Sequence, residues 1–309
     1  MIKKEDIYFP SYKTGEKMHG IIWNIENPKA ILQIVHGMQE YIDRYDEFAT
    51  YMADKGILVC GEDHMGHGMS VADGGTYGYF CEENPEEELV ENTRKMTNIV
   101  REKYPDTPII VMGHSFGSFI TRYYLTKYSN DLKGCIISGT GYQDASMIKA
   151  GHSFVKFQKL FFPSKHVAKL ADKIAFGSYL KKIENPKTPS DWLSYNEEDV
   201  AAYRKNPWCN FTFTLNGFDT MFRLLYKVID KDLMKNISKS LPIFMVAGKE
   251  DPVGGYGKDV QKLYNVYKNE IGLNVKLKLY ENKRHELHNE PDRMSVYEDY
   301  SNWILEVIA

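Results

Sequence analysis

An α/β class, with a mostly parallel sheet and a helical insertion, is predicted by three observations. Short β-rich runs alternate with longer helical patterns over residues 1–141, the alternation stops near Tyr142, and it resumes near Pro242. Strands joined through helices run parallel and are covered on both faces, which is why their runs read as continuously apolar.

The elements follow in order. Residues 7–9 and 18–24 are runs of β-formers placed for a hairpin, and 30–35 is a third strand. An amphipathic segment at 44–55, a strand at 57–60 and a long helix within 86–103 come next; Glu86-Glu87-Glu88 suits the positive end of that helix's dipole. Strands at 108–112 and 132–138 flank a helix at 118–128. From 142 to 239 apolar residues fall at helical spacing without intervening strands, as in Phe154, Phe157 and Phe161 and again in Phe218, Phe222 and Leu225. A strand at 242–247, a helix at 258–270, a strand at 275–280 and a last helix at 293–307 complete the chain. Residues 1–141 and 240–309 are therefore expected to form one core, and 142–239 a helical cap inserted after the sixth strand.

Composition narrows the function. At 309 residues and 43% apolar content the chain can bury a large core. A net charge of −3, with acids and bases interleaved, gives no reason to expect a nucleic-acid partner. The opening MIKKEDIYFP lacks the apolar run of a secretion signal, and no span approaches the roughly 20 apolar residues needed to cross a bilayer, so a soluble cytoplasmic protein is expected. Cys60, Cys81, Cys135 and Cys209 lack metal-site or disulfide spacing and read as buried thiols in a reducing compartment.

The chemistry begins at VMGHSFGSF. A serine lifted from the sheet at a sharp strand-to-helix turn needs glycines beside it, and Gly113-His114-Ser115-Phe116-Gly117 supplies them after a strand and before a helix. Plain turn chemistry is the alternative. The helix start also places unpaired N–H groups and positive dipole where negative charge would develop. An alcohol is a weak nucleophile near neutral pH, so Ser115 needs a base, and the base needs a carboxylate to orient it. On sheets carrying such an elbow the partners follow in the order acid, then histidine, each after a late strand. Asp251 in AGKEDPV and His285 in ENKRHEL fall there. Asp251 is preferred to the adjacent Glu250 because Asp-Pro-Val places it at the turn, and His288 is the runner-up to His285. The His-x-x-His pair has no third ligand of convincing spacing, so no metal site is expected. For the oxyanion, Phe116 N–H is one donor and Met38 N–H, in the glycine-containing turn His36-Gly37-Met38, is the other.

These residues resemble the α/β-hydrolase superfamily and, within it, the monoacylglycerol lipase and lysophospholipase group. The likeness rests on HGMQEYIDRY (36–45), DHMGHGMS (63–70), GHSFGS (113–118) and the stretches holding Asp251 and His285. It is weak in the cap, where only Phe211-Thr212-Phe213-Thr214 is familiar, and Phe116-Gly117-Ser118 stands where relatives commonly have Met-Gly-Gly. The resemblance implies an esterase acting on a lipid acyl ester through an acyl-serine intermediate without a cofactor. A short-chain carboxylesterase and a non-catalytic ligand-binding protein are the rivals.

Several residues have secondary expectations. Asp63-His64-Met65-Gly66-His67-Gly68 reads as a structural loop rather than a metal or phosphate site. Glu40 and Arg44 are expected to pair and steady the oxyanion loop, an interaction worth ~1 kcal/mol or less if exposed. The cap adds Met147, Trp192 and Trp208 to its aromatic residues, and Phe154, Phe157, Phe161, Phe213 and Phe218 are the candidates for lining an acyl pocket. A small-molecule ester or lipid is the expected partner, with at most peripheral membrane contact through the cap rim. The sequence fixes no oligomeric state.

Overall fold

The computed structural model describes residues 2–309. Eight strands form one sheet: β1 (Lys3–Pro10), β2 (Lys17–Asn24), β3 (Ala30–Val35), β4 (Ile57–Glu62), β5 (Ile109–His114), β6 (Gly134–Ser138), β7 (Ile243–Gly248) and β8 (Val275–Tyr280). Their spatial order is β1-β2-β4-β3-β5-β6-β7-β8. β2 runs antiparallel to β1 and β4, and every other pairing is parallel. β1 extends well beyond the three residues its composition marks, because pairing with β2 from Lys3 to Pro10 and not burial sets its length.

The helices are α1 (Asp46–Asp54), α2 (Pro85–Lys103), α3 (Phe116–Tyr128), α4 (Ala145–Lys159), α5 (Lys169–Phe176), α6 (Glu197–Lys205), α7 (Leu215–Ile229), α8 (Lys231–Met234), α9 (Lys258–Asn265) and α10 (Arg293–Ile308). A 3₁₀ turn at Ile42–Tyr45 leads into α1, and α9 continues as a π-helical turn at Val266–Ile271, so neither expected helix is α-helical throughout. Helices α4 to α8 all lie between β6 and β7, the insertion point read from the sequence.

The period of two along the strands divides the core. Ile31, Val35, Ile109 and Val111 pack on one face with Leu89, Val90 and Met96 of α2 and Phe119 and Ile120 of α3. Leu32, Ile34, Ile110 and Met112 point to the other face, against Phe48 and Met52 of α1 and Tyr297, Tyr300 and Ile304 of α10. Each large apolar side chain buried this way contributes about 1.5–3 kcal/mol, offset by the entropy of ordering it. No helix among the described residues is long and apolar enough to cross a membrane. Parallel pairing brings the C-terminal ends of β3, β5, β6, β7 and β8 to one edge, and the loops that leave there carry Gly37, Ser115, Gly139, Asp251 and His285.

Candidate active site

Ser115 sits between β5 and α3 with φ 52° and ψ −121°, a backbone that a side-chain-bearing residue adopts only when its surroundings enforce it. The enforcement is steric. A Cβ at Gly113 would lie 2.3 Å from Thr121 Oγ1, and one at Gly117 would lie 2.0 Å from the Val35 carbonyl oxygen. Both glycines of the motif are therefore needed for space, which lets α3 press against β3 while the serine stands out from the turn. Ser118 Oγ lies 2.5 Å from the Ser115 carbonyl oxygen and 2.8 Å from Thr140 Oγ1, bracing the first turn of the helix.

The loops after β7 and β8 bring Asp251 and His285 together, with Asp251 Oδ2 3.0 Å from His285 Nδ1 and both side chains buried. Asp251 Oδ1 accepts from Val253 N–H at 2.8 Å, which fixes the carboxylate's rotation. With Nδ1 occupied, Nε2 is the nitrogen left to take a proton. Burial favours the neutral ring, but the charge and hydrogen bond of Asp251, reinforced by Glu286 and Glu40, outweigh it and hold the imidazole's pKa above its ordinary value. The competitors lie elsewhere. Glu250 accepts a hydrogen bond from Tyr195 OH, and His288 is stacked on Tyr45 with ring centroids 4.6 Å apart.

The turn after β3 lies against the serine. A Cβ on Gly37 would come within 3.1 Å of Ser115 Cβ, and Met38, Ser115, Phe116 and His285 line one cavity. Phe116 opens α3, whose first N–H groups have no partner within the helix. Behind the turn, neutral histidines form a brace. His36 Nδ1 donates to the Gly37 carbonyl at 2.8 Å, His36 Nε2 accepts from His64 N–H at 3.0 Å, and His64 Nε2 donates to the His36 carbonyl at 2.9 Å. Burial lowers the pKa of His64 to about 4 and of His67 to about 3, so both rings stay uncharged. Asp63 accepts from Ile42 N–H and Met69 N–H and pairs with His19 Nδ1. The segment 63–68 is thus held within protein, and no group of three metal-ligating side chains is found among the described residues.

The Glu40–Arg44 pair is more than the exposed contact considered from sequence. The Arg44 side chain is 8% exposed and meets three carboxylates. It grips Glu286 through two bonds of 2.9 and 2.8 Å, reaches Glu40 at 3.1 Å, and touches Asp199 of α6 at 3.3 Å. Glu40 in turn accepts from Gly37 N–H. One guanidinium therefore ties the turn beside Ser115, the residue after His285 and a cap helix. Burial opposes ionisation of Glu286, but Arg44 outweighs it and holds that carboxyl far below the usual range. Burial and the negative neighbour Glu286 push Glu40 up to about 7 against the pull of Arg44. Arg44→Met is expected to cost about 3–5 kcal/mol by stranding buried carboxylates, read as a lower denaturant midpoint. Adding Glu286→Gln should recover part of that loss; a double variant no more stable than Arg44→Met would contradict the pairing.

The cavity has a volume of about 710 Å³ and is roofed by the helices between β6 and β7. Phe154, Val155, Phe176, Trp192, Met221 and Phe222 supply much of its wall. Of the five aromatic candidates, Phe154 and Phe218 line it. The other three do not. Phe157 and Phe161 are 59% and 67% exposed, and Phe213 is fully buried behind the wall, edge-on to Phe116 at 5.6 Å. Periodicity failed there because Phe161 lies past the end of α4, and because an apolar stripe does not say which side faces a cavity. Trp192, noted only as part of an aromatic-rich cap, lies 5.1 Å from the His285 ring. Glu286 and Asp199 carried no sequence signal, since their role depends on contacts formed across the fold.

Comparisons with known proteins bear on the family and the fold. The sequence profile of the serine aminopeptidase S33 family matches residues 26–292. A monoacylglycerol lipase of Mycolicibacterium smegmatis is 27% identical over 288 residues, covering 92% of this chain and 91% of that protein. A monoglyceride lipase of Rattus norvegicus is 24% identical over 295 residues, covering 91% of this chain and 84% of its own. Among solved structures, a highly thermostable carboxyl esterase from Bacillus coagulans, in complex with glycerol, superposes over 100% of both chains with a TM-score of 0.90 and 29% identity. A monoglyceride lipase from Saccharomyces cerevisiae superposes with a TM-score of 0.75 at 18% identity, covering 99% of this chain and 96% of that one, a likeness of fold. With the family profile spanning most of its length, the chain belongs to the serine aminopeptidase S33 family and is a serine hydrolase of the α/β-hydrolase fold.

Proposed function

We propose that the protein cleaves carboxylic esters of the monoacylglycerol or lysophospholipid type, with Ser115 as nucleophile, His285 as base and Asp251 as the group that orients it. The observation that carries this reading is the buried Asp251–His285 pair, 3.0 Å apart, whose His285 lines one cavity with the strained Ser115. His285 Nε2 takes the hydroxyl proton as Ser115 Oγ attacks the ester carbonyl, and Met38 and Phe116 N–H receive the oxyanion. The alcohol leaves carrying the proton returned by His285, and water then attacks the acyl-serine in the same way. No step uses a cofactor.

The cluster of Phe154, Val155, Phe176, Met221, Phe222 and Leu225 on one side of the cavity of about 710 Å³ favours an acyl chain as the group bound there. Initial rates on monoacylglycerols and nitrophenyl esters of increasing chain length, beside aminoacyl nitroanilides, test the reading. Medium or long acyl esters are expected to give the highest kcat/KM. A maximum at acetyl esters would favour the short-chain carboxylesterase, and preference for the anilides would overturn the lipid reading.

A further inference from the structure

Glu62 closes β4 with its carboxyl fully buried, and the hydrolytic scheme has no use for it. Its surroundings serve a carboxylate poorly. Oε1 accepts one hydrogen bond, from Thr93 Oγ1 of α2 at 2.6 Å, and Oε2 has no partner among the described residues. No lysine or arginine among them pairs with it, and the one basic group beside it is His64, with Nδ1 3.8 Å from Oε1. Opposite Glu62 on β2 stands Gly20, which offers no side chain. Asp63, next in the chain, adds negative charge, and Cys60 on the same strand is a thiol that burial keeps neutral. From β3, Gln33 is already engaged with Thr93 and Thr97. An unpaired anion in such a place is far costlier than a neutral acid. Burial, against the hydrogen bond from Thr93, accordingly pushes the carboxyl up to about 7.

The proton matters to His64. Its Nε2 is committed as a donor to the His36 carbonyl, so the neutral ring turns a lone pair at Nδ1 toward Glu62. A protonated carboxyl suits that lone pair, and a carboxylate repels it. Charging His64 instead is opposed by burial, beside the rings of His36 and His67 at 3.9 and 5.9 Å. The same His64 holds both the carbonyl and Nε2 of His36, and His36 holds the Gly37 carbonyl. The turn fixed in this way carries Met38.

We propose that Glu62 is a positioning residue acting as a neutral carboxylic acid, whose proton keeps His64 in the tautomer that braces the turn after β3 and aims Met38 N–H at the oxyanion. The catalytic half rests on the oxyanion role proposed for Met38; the protonation of Glu62 does not. Denaturant midpoints of the full chain from pH 4 to 9, beside those of Glu62→Gln, test the protonation without catalysis. An acid raised on folding loses stability as pH climbs from the ordinary carboxyl value of 4.5 to about 7, and no more above it. Glu62→Gln lacks that loss, so its advantage over the wild type should grow across this window and then stay level. A variant less stable than the wild type at pH 8, by a margin that shrinks toward pH 4, would instead show a buried ion pair and overturn the proposal.

Kinetics on a soluble butyrate ester test the positioning. Gln can accept from Thr93 and present an N–H to His64, so at pH 6 Glu62→Gln is expected to stay within about twofold of the wild type. Glu62→Leu has no such donor and should lower kcat about tenfold with KM changed less than about twofold. Between pH 6 and 9 the wild type should lose about threefold or more in kcat relative to Glu62→Gln, a comparison in which the His285 limb cancels. This ratio also decides the matter should Glu62→Leu not fold. A ratio that stays constant with pH, or a folded Glu62→Leu with wild-type kcat, would overturn the positioning role.

Discussion

Ser115→Ala is expected to lower kcat on an ester substrate by about four to six orders of magnitude, with little change in KM. The size follows from the geometry. In the proposed mechanism only the hydroxyl oxygen forms the bond to the acyl carbon, while the cavity wall, the turn at Gly37–Met38 and the N-terminus of α3 remain to bind substrate. The substitution also keeps a Cβ in place, so Gly37 retains its neighbour and the elbow its packing. Steady-state kinetics with a folded variant, checked by an unchanged thermal transition, measure the effect. A fall of less than about tenfold would mean that another group attacks the ester.

Asp251→Asn should lower kcat by about 10³–10⁴-fold and move the acidic limb of the pH profile. As the proposed base, His285 acts only when neutral, so activity is expected to rise with pH through its pKa. The wild-type pKa stands above the ordinary histidine value because the charge of Asp251 outweighs the effect of burial. Removing that charge lowers it, so the limb shifts toward lower pH even as the plateau falls. The plateau falls because the Asn amide donates to Nδ1 and selects the other tautomer, leaving the proton on Nε2 where the serine's must go. An unshifted limb with activity near wild type would show that Asp251 does not govern the base.

The elbow was legible because its signal is local: two glycines, a strand before and a helix after lie within a dozen residues, and crowding at Gly113 and Gly117 leaves little else possible there. Asp251 and His285 were legible through chain order, since a parallel sheet delivers the ends of β7 and β8 to the same edge as β5. The grip of Arg44 on Glu286 was not. Those residues are 242 positions apart, and no periodicity links the turn after β3 to the loop after β8. Phe157 and Phe161 mark another limit. They share the helical spacing of Phe154, yet one turns outward and the other lies past the end of α4, where the spacing no longer fixes a face. Hydrophobic pattern predicts that such residues seek cover, and it does not say whether the cover is the protein's own core or an outside surface.

The claim on which the rest depends is that Ser115 is a nucleophile made reactive by His285. Treating the folded protein with a fluorophosphonate and measuring its intact mass, then locating the adduct by peptide mapping, tests it most directly. One adduct per chain on Ser115 is predicted, forming faster as pH rises through the His285 pKa and absent from Ser115→Ala and His285→Ala. A folded wild-type protein that stays unmodified, or that carries the adduct on another residue, would contradict it.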